Sequence, residues 1–148
     1  GLVLDGTCVI GVSEPLPKVA PEKPRHAKRA QVWVLDDEPL IVMTLRDFLA
    51  HFHHVVTFTE PRELLRHIAS GERFDVLLCD LMMPDLSGMD LYDELKQVAP
   101  DLCPRIIFFT GGAFTKRAQE FLHSVPNPRI EKPFEVDQLL EVVNRQLT

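Results

Sequence analysis

Apolar residues fall along this 148-residue chain in short runs separated by stretches of helical period. From Ala30 onward, runs at 32–35, 55–58, 74–79, 105–109 and 128–131 predict strands. The first, third and fourth are apolar almost throughout, the pattern of strands covered on both faces of a parallel sheet. Between and after these runs, apolar residues recur with helical spacing. Ile41, Leu45, Phe48, Leu49 and Phe52 share one helical face after the first run, and Val136, Leu139, Leu140, Val143 and Leu147 share another at the C-terminus. Both stripes predict core. Weaker helical segments cover about 61–69, 87–98 and 114–123, with Pro61 opening the first and Pro84 and Gly88 preceding the second. Strands alternating with helices, five of each, predict an α/β domain in which crossover helices connect parallel strands. Trp33, on the first strand, is expected in the core or packed at the sheet edge.

The segment ahead of this pattern differs in kind. Residues 1–13 hold a short β-like stretch, TCVIGV at 7–12, read either as the tail of a preceding domain or as disordered. Residues 14–29 contain Pro15, Pro17, Pro21 and Pro24 interspersed with Lys18, Lys23, Arg25, Lys28 and Arg29, the composition of a semi-rigid linker. The compact domain is expected over 30–148.

With 45% hydrophobic and 26% charged residues, the chain supports one core of domain size. Its formal net charge of −6 gives no attraction to nucleic acid or to an anionic membrane surface, so neither is expected as a direct partner. Cys8, Cys79 and Cys103 form no CxxC pair and suggest neither a disulfide framework nor a zinc site. No apolar run approaches the roughly 18–20 residues that span a bilayer, and the N-terminus lacks a signal-peptide layout. A cytoplasmic setting is therefore expected, compatible with a membrane-tethered parent protein.

Chemistry concentrates at the strand ends. Asp36, Asp37 and Glu38 follow the first run, Asp80 the third, Thr110 and Gly111 the fourth, and Lys132-Pro133-Phe134 the fifth. In open parallel sheets, ligands sit outside the carboxyl ends of the strands, a rule drawn partly from folds of this type, so these distant residues should converge. Carboxylates brought together repel, and a hard divalent cation relieves that repulsion. Magnesium takes about six oxygen ligands, several of them water, and shares its shell readily with phosphate. An aspartate carboxylate is also a nucleophile that needs no activating base, because it is ionised at neutral pH. Asp80 is the candidate. Phosphoryl transfer places charge on three equatorial oxygens and needs mainly positioning and positive charge, roles open to the metal, Lys132 and the Thr110 hydroxyl.

These residues resemble the response-regulator receiver domains of two-component signalling, in VLDDEP at 34–39, LCDLMMPDLSG at 78–88, FT at 109–110 and EKPF at 131–134. The resemblance spans about 31–147. It implies a flavodoxin-like (βα)5 fold with strand order 2-1-3-4-5, and Mg2+ held by Asp36, Asp80 and the Met82 backbone carbonyl, with Asp37 engaging it directly or through water. It further implies that Asp80 accepts a phosphoryl group from a histidine kinase or phosphotransfer domain, in the same or another polypeptide. Such a domain catalyses its own modification without being a turnover enzyme, and switches surface conformation around the fourth helix, fifth strand and fifth helix. A cis peptide before Pro133 would aim Lys132 inward. TGGAFT at 110–115 and VPNPRIEKPF at 125–134 look like receivers at the C-terminus of hybrid histidine kinases, with the Pro-rich segment as tether. A stand-alone response regulator and a degenerate receiver acting only as a binding module are the alternatives. A phosphatase of the haloacid dehalogenase type uses similar groups, but places its DxD nucleophile motif on the first strand; here the acidic pair comes first and the lone aspartate third.

Plainer readings compete at each position. An acidic pair after a strand also caps a following helix, Lys132 alone reads as a solvated charge, and Thr110 as a strand-end hydroxyl. The ordered set favours a site over all three. Cys79, turned to the opposite side from Asp80 by strand alternation, is expected as a buried structural thiol. His51, His53 and His54, far from the acidic edge, are expected as an exposed cluster. Two departures from the family pattern bear on mechanism. Arg129 occupies the place where the family commonly carries an aromatic switch residue, which puts a threonine–aromatic switch in doubt. Met82 and Gly112, two residues beyond Asp80 and Thr110, lack side chains able to orient water, so self-dephosphorylation is expected to be slow.

Overall fold

A computed structural model describes residues 29–111 and 115–148. The strands β1 (Gln31–Leu35), β2 (His54–Phe58), β3 (Val76–Asp80), β4 (Ile106–Thr110) and β5 (Arg129–Glu131) form one parallel sheet in the order β2-β1-β3-β4-β5. Among the described residues, five α-helices connect and flank them: α1 (Pro39–Leu49), α2 (Pro61–Ala69), α3 (Gly88–Val98), α4 (Lys116–Ser124) and α5 (Val136–Leu147). The expected fold class and strand order are therefore observed. The readings of residues 1–13 and of most of the Pro-rich segment, and that of Gly112, lie outside the described residues.

Strand alternation sorts the core into two layers. Trp33, Leu35, Leu77, Cys79 and Phe108 point to the side of α2, α3 and α4; Val32, Val34, Leu78, Ile107 and Phe109 point to the side of α1 and α5. Trp33 is buried in the first layer, its ring 5.2 Å from that of Phe58 and 5.4 Å from that of Phe74. Because β1, β3 and β4 are covered on both sides, their apolar residues are continuous and their ends are held rigidly.

Helix starts follow local chemistry. Pro39 and Pro61 occupy first turns, where the missing N–H costs nothing. In α3, the Ser87 hydroxyl accepts from the Asp90 N–H while Asp90 Oδ2 accepts from the Ser87 N–H, a reciprocal cap. Asp90 Oδ1 also accepts from Arg117, which ties α3 to the start of α4.

Three expectations change. Phe52 is exposed, because α1 ends at Leu49 and the stripe is completed by Val42 instead. A 3-10 helix, Pro100–Arg105, lies between α3 and β4; its two prolines disguise it in the sequence as loop. His53 is buried, unlike the exposed His51 and His54. The Ala30 N–H donates to its Nδ1 at 3.3 Å, so the proton lies on Nε2, which donates to Asn144 Oδ1 at 3.2 Å. That contact joins the β2 entry to α5, across 91 residues of sequence.

Candidate functional site at the carboxyl end of the sheet

The candidate residues lie at the strand ends or, for Asp37 and Met82, two residues beyond them. Asp36 follows β1 directly and is fixed by its own N–H, which donates to the Phe58 carbonyl at 3.2 Å. Asp80 and Thr110 are the last residues of β3 and β4, and Lys132 follows β5. The Lys132 N–H donates to the Thr110 carbonyl at 2.8 Å, extending the ladder by one step and bringing the lysine over the end of β4. The Lys132–Pro133 peptide is cis.

The side chains converge. Carboxylate oxygens of Asp36, Asp37 and Asp80 lie within 4.8 Å of one another, with Asp36 and Asp80 buried and Asp37 exposed. Lys132 Nζ reaches among them, 3.0 Å from Asp36 Oδ2 and 3.6 Å from Asp80 Oδ1. The other Asp36 oxygen accepts from the Glu38 N–H at 2.9 Å, so the acidic pair does help turn the chain into α1 as well as line the pocket. The Met82 N–H points to Asp80 Oδ1 at 3.4 Å. Thr110 is buried, and its hydroxyl oxygen has no hydrogen-bond partner among the described residues.

Gly88, a helix-start signal and the last residue of the motif at 78–88, has a packing role that the sequence does not show. A Cβ on Gly88 would lie 2.7 Å from the Asp80 carbonyl oxygen and 3.0 Å from the Leu81 Cα, so the start of α3 packs against the Asp80 backbone at a distance only glycine allows. The Gly88 N–H donates to the Leu81 carbonyl at 2.9 Å, locking the turn.

Charge in this pocket is unbalanced. Burial first, then repulsion from Asp36, pushes the Asp80 carboxyl up to about 7. A side-chain hydrogen bond with Asp37 adds to that rise, while Lys132 and the Met82 N–H oppose it. For Lys132, burial alone would favour the neutral amine, but the hydrogen bond to Asp36 and attraction to Asp80 and Asp36 outweigh it and raise its pKa. Three carboxylates thus face one ammonium in a partly dry site. This all-oxygen donor set suits a hard divalent cation, and the unsatisfied Thr110 hydroxyl suits an incoming oxygen acceptor. Cys79 is buried on the opposite side with its thiol directed at the Asp80 carbonyl, 3.4 Å away; burial, followed by Asp80 and Asp36, pushes its pKa far up and leaves it an inert structural thiol.

The profile of the response regulator receiver domain matches residues 32–144. The chain belongs to that family. It is 33% identical over 119 residues to the DNA-binding transcriptional regulator NtrC of Azospirillum brasilense, covering 80% of this chain and 24% of that protein. Identity to NtrC of Escherichia coli K12 is 31% over 122 residues, covering 82% and 25%. The chain spans about a quarter of the length of these relatives. Among solved structures, a response regulator receiver domain protein of Clostridium thermocellum superposes with a TM-score of 0.70 at 28% identity, covering 80% of this chain and 94% of that one. The BeF3-activated DrrB receiver domain superposes with a TM-score of 0.68 at 25% identity, covering 81% and 98%.

Within the receiver frame, Arg129 is exposed at the start of β5 and the neighbouring Ile130 supplies that strand's buried side chain. Met82 is 38% exposed beside Asp80. Among the described residues, no helix is long and apolar enough to cross a membrane.

Proposed function

We propose that this domain accepts a phosphoryl group on Asp80 from a phosphohistidine, in a histidine-to-aspartate relay. An Asp80 oxygen attacks phosphorus, an O–P bond forms, the P–N bond breaks and the imidazole leaves with its electron pair. Lys132, already 3.6 Å from Asp80, neutralises one oxygen of the transferring group. The Thr110 hydroxyl donates to another, which gives that buried group the partner it otherwise lacks. A magnesium ion held by Asp36, Asp80 and the Met82 backbone carbonyl, with Asp37 directly or through water, supplies further positive charge when bound. The observation that carries this reading is the meeting of three carboxylates, one ammonium and one orphaned hydroxyl at four strand ends.

Movement of Thr110 and Lys132 toward the phosphoryl group is the natural trigger for a change of surface around α4, β5 and α5. The domain acts on itself, as a switch, and is not a turnover enzyme. Its acidic character argues against direct contact with nucleic acid or membrane, and we assign it to the cytoplasm. The motifs at 110–115 and 125–134, together with the Pro-rich tether, favour a place in a hybrid histidine kinase. The NtrC relatives favour a second context, the receiver of a DNA-binding regulator. The coding sequence on either side of this segment separates the two: a kinase ATP-binding domain before it, or a DNA-binding module after it.

Incubation with acetyl phosphate and magnesium should add one phosphoryl group, mapped by mass spectrometry to Asp80. Asp80→Asn should abolish it. Labelling that persists in Asp80→Asn would place the phosphoacceptor elsewhere and sink the assignment, and wild-type protein that takes no label would leave a domain that acts only by binding.

A further inference from the structure

Lys132 is weakly anchored by its own strand. β5 contributes three residues with a single buried side chain, Ile130, and lysine carries a flexible four-carbon stem. Yet its ammonium must sit within bonding distance of two particular carboxylates, and an ångström of misplacement at such a centre is costly. The Lys132–Thr110 backbone hydrogen bond fixes the main chain but not the side chain.

A pair of aromatic rings supplies what the strand does not. Phe109 and Phe134 stack face to face, their centroids 5.1 Å apart and their planes 9° from parallel. Lys132 Nζ lies 5.8 Å from the Phe109 centroid, within the range of a cation–π attraction. Residues 132 and 134 therefore grip the same ring from either side of Pro133. Phe109 is itself immobile: it is fully buried, it lies between Asp80 and Ile130 in the strand register, and its carbonyl accepts from the Leu81 N–H at 3.0 Å. Phe134 packs against the buried cluster shared by the sheet, α1 and α5, and lines an open apolar cleft with Leu40, Ile41, Thr44 and Leu45 of α1.

On the other side of the sheet the rings meet at steeper angles, Phe108 edge-on to Phe121 at 87° and tilted against Tyr92; both edge-on and offset-parallel pairs are favourable, and it is the lysine beside it that distinguishes the Phe109–Phe134 pair. The parallel pair, Phe109 buried and Phe134 partly so, flanks the ammonium that serves the acidic pocket.

We propose that the stacked Phe109–Phe134 pair is the positioning element of Lys132, setting where the ammonium stands relative to Asp36 and Asp80. Phe109 and Phe134 are positioning residues; neither touches the reacting atoms. The proposal rests on the phosphoacceptor reading for its kinetic consequence, but its structural content stands apart from phosphorylation.

The test compares Phe134→Leu, Phe134→Tyr and Phe109→Leu with wild type. NMR of the resting, unphosphorylated domain reads the Lys132 side chain, whose methylene protons should be ring-shifted upfield of those of the other lysines. In Phe134→Leu and Phe109→Leu that shift should shrink, whereas Phe134→Tyr should keep it. With acetyl phosphate, Phe134→Leu should lower the labelling rate at saturation about tenfold while moving the half-saturating concentration by less than about twofold, and Phe134→Tyr should restore the rate. The proposal is overturned if folded Phe134→Leu keeps both the lysine shift and the rate. It is equally overturned if Phe134→Tyr fails alongside Phe134→Leu, the behaviour of a packing defect. Should Phe134→Leu not fold, Phe109→Leu decides on the same criteria. Wild-type protein that takes no label refutes the phosphoacceptor reading alone, and the lysine shifts then decide the positioning claim.

Discussion

The two ends of the sheet treat polar groups differently. At the amino end they pair with one another and with the main chain, save the buried Asn127 Oδ1, which has no hydrogen-bond partner among the described residues. Arg29 donates to the carbonyls of Ala50, His51 and His53 at the end of α1, the Gln31 N–H donates to Asp75, and Arg105 donates to the Phe74 carbonyl. The Asn127 amide nitrogen donates to the carbonyls of Cys103 and Ile106, and His53 bridges Ala30 and Asn144. At the carboxyl end, three carboxylates crowd one ammonium and a buried hydroxyl is left over. Buried groups that are satisfied hold a fold together, whereas like charges held close cost stability and persist only where something else gains from them. The amino end reads as the scaffold, the carboxyl end as the place where the protein is prepared to bind.

The comparison breaks most visibly at His53. His53→Ala removes a buried ring with partners on both nitrogens, which should cost about 2–4 kcal/mol in urea or thermal unfolding. Labelling of Asp80 by acetyl phosphate should stay near the wild-type rate, because His53 lies at the far end of the sheet. A loss under about 1 kcal/mol would show that the amino end is not the scaffold.

Asp80→Asn should do the reverse, abolishing labelling while stabilising the metal-free protein. The sign follows from linkage. The folded-state pKa of Asp80, about 7, lies above the ordinary aspartate value of 3.8, so the folded state holds the proton more tightly than the unfolded state. Below pH 4 both states are protonated and the variant should gain nothing. As pH rises from 4 to 7, wild-type stability should fall relative to Asp80→Asn, levelling above 7 at a difference of about 4 kcal/mol. Added magnesium should stabilise wild type and close the gap. Unfolding curves at pH 4 and pH 8, with and without magnesium, check each limb; equal curves for the two proteins at pH 8 would mean the carboxylates are not in conflict.

Sequence made the carboxyl end legible because the chemistry there is written in residue types that little else explains in that order. Asp36, Asp80, Thr110 and Lys132 each follow an apolar run, and parallel topology brings the ends of such runs together. The doubly covered strands were equally readable, since continuous apolar runs leave few other solutions. The amino end stayed hidden. His53 reads as one of three histidines near a helix end, and its burial depends on Asn144, whose place beside it is set by the docking of α5 rather than by any local pattern. Phe52 continued a helical stripe that the chain abandons at Leu49. Gly88 and the Phe109–Phe134 stack escaped for the same reason: close approach and ring geometry exist only once distant elements have packed.

The smallest effect expected at the carboxyl end concerns how long the phosphoryl group stays. Hydrolysis requires a water aligned opposite the Asp80–phosphorus bond, and a neighbouring side chain that accepts a hydrogen bond can hold one there. Met82, exposed two residues beyond Asp80, offers only a thioether, a poor acceptor. The wild-type acyl phosphate should therefore decay slowly, and Met82→Glu, which places a carboxylate at that exposed position, should hasten decay about tenfold, equivalent to ~1.4 kcal/mol in the barrier. Fold stability should be nearly unchanged, since the side chain is partly in solvent. Removing excess acetyl phosphate and timing loss of label measures both proteins. Wild-type decay within seconds would mean that water is aligned by a group other than residue 82, and the carboxyl end would then be more completely furnished than its contrast with the amino end implies.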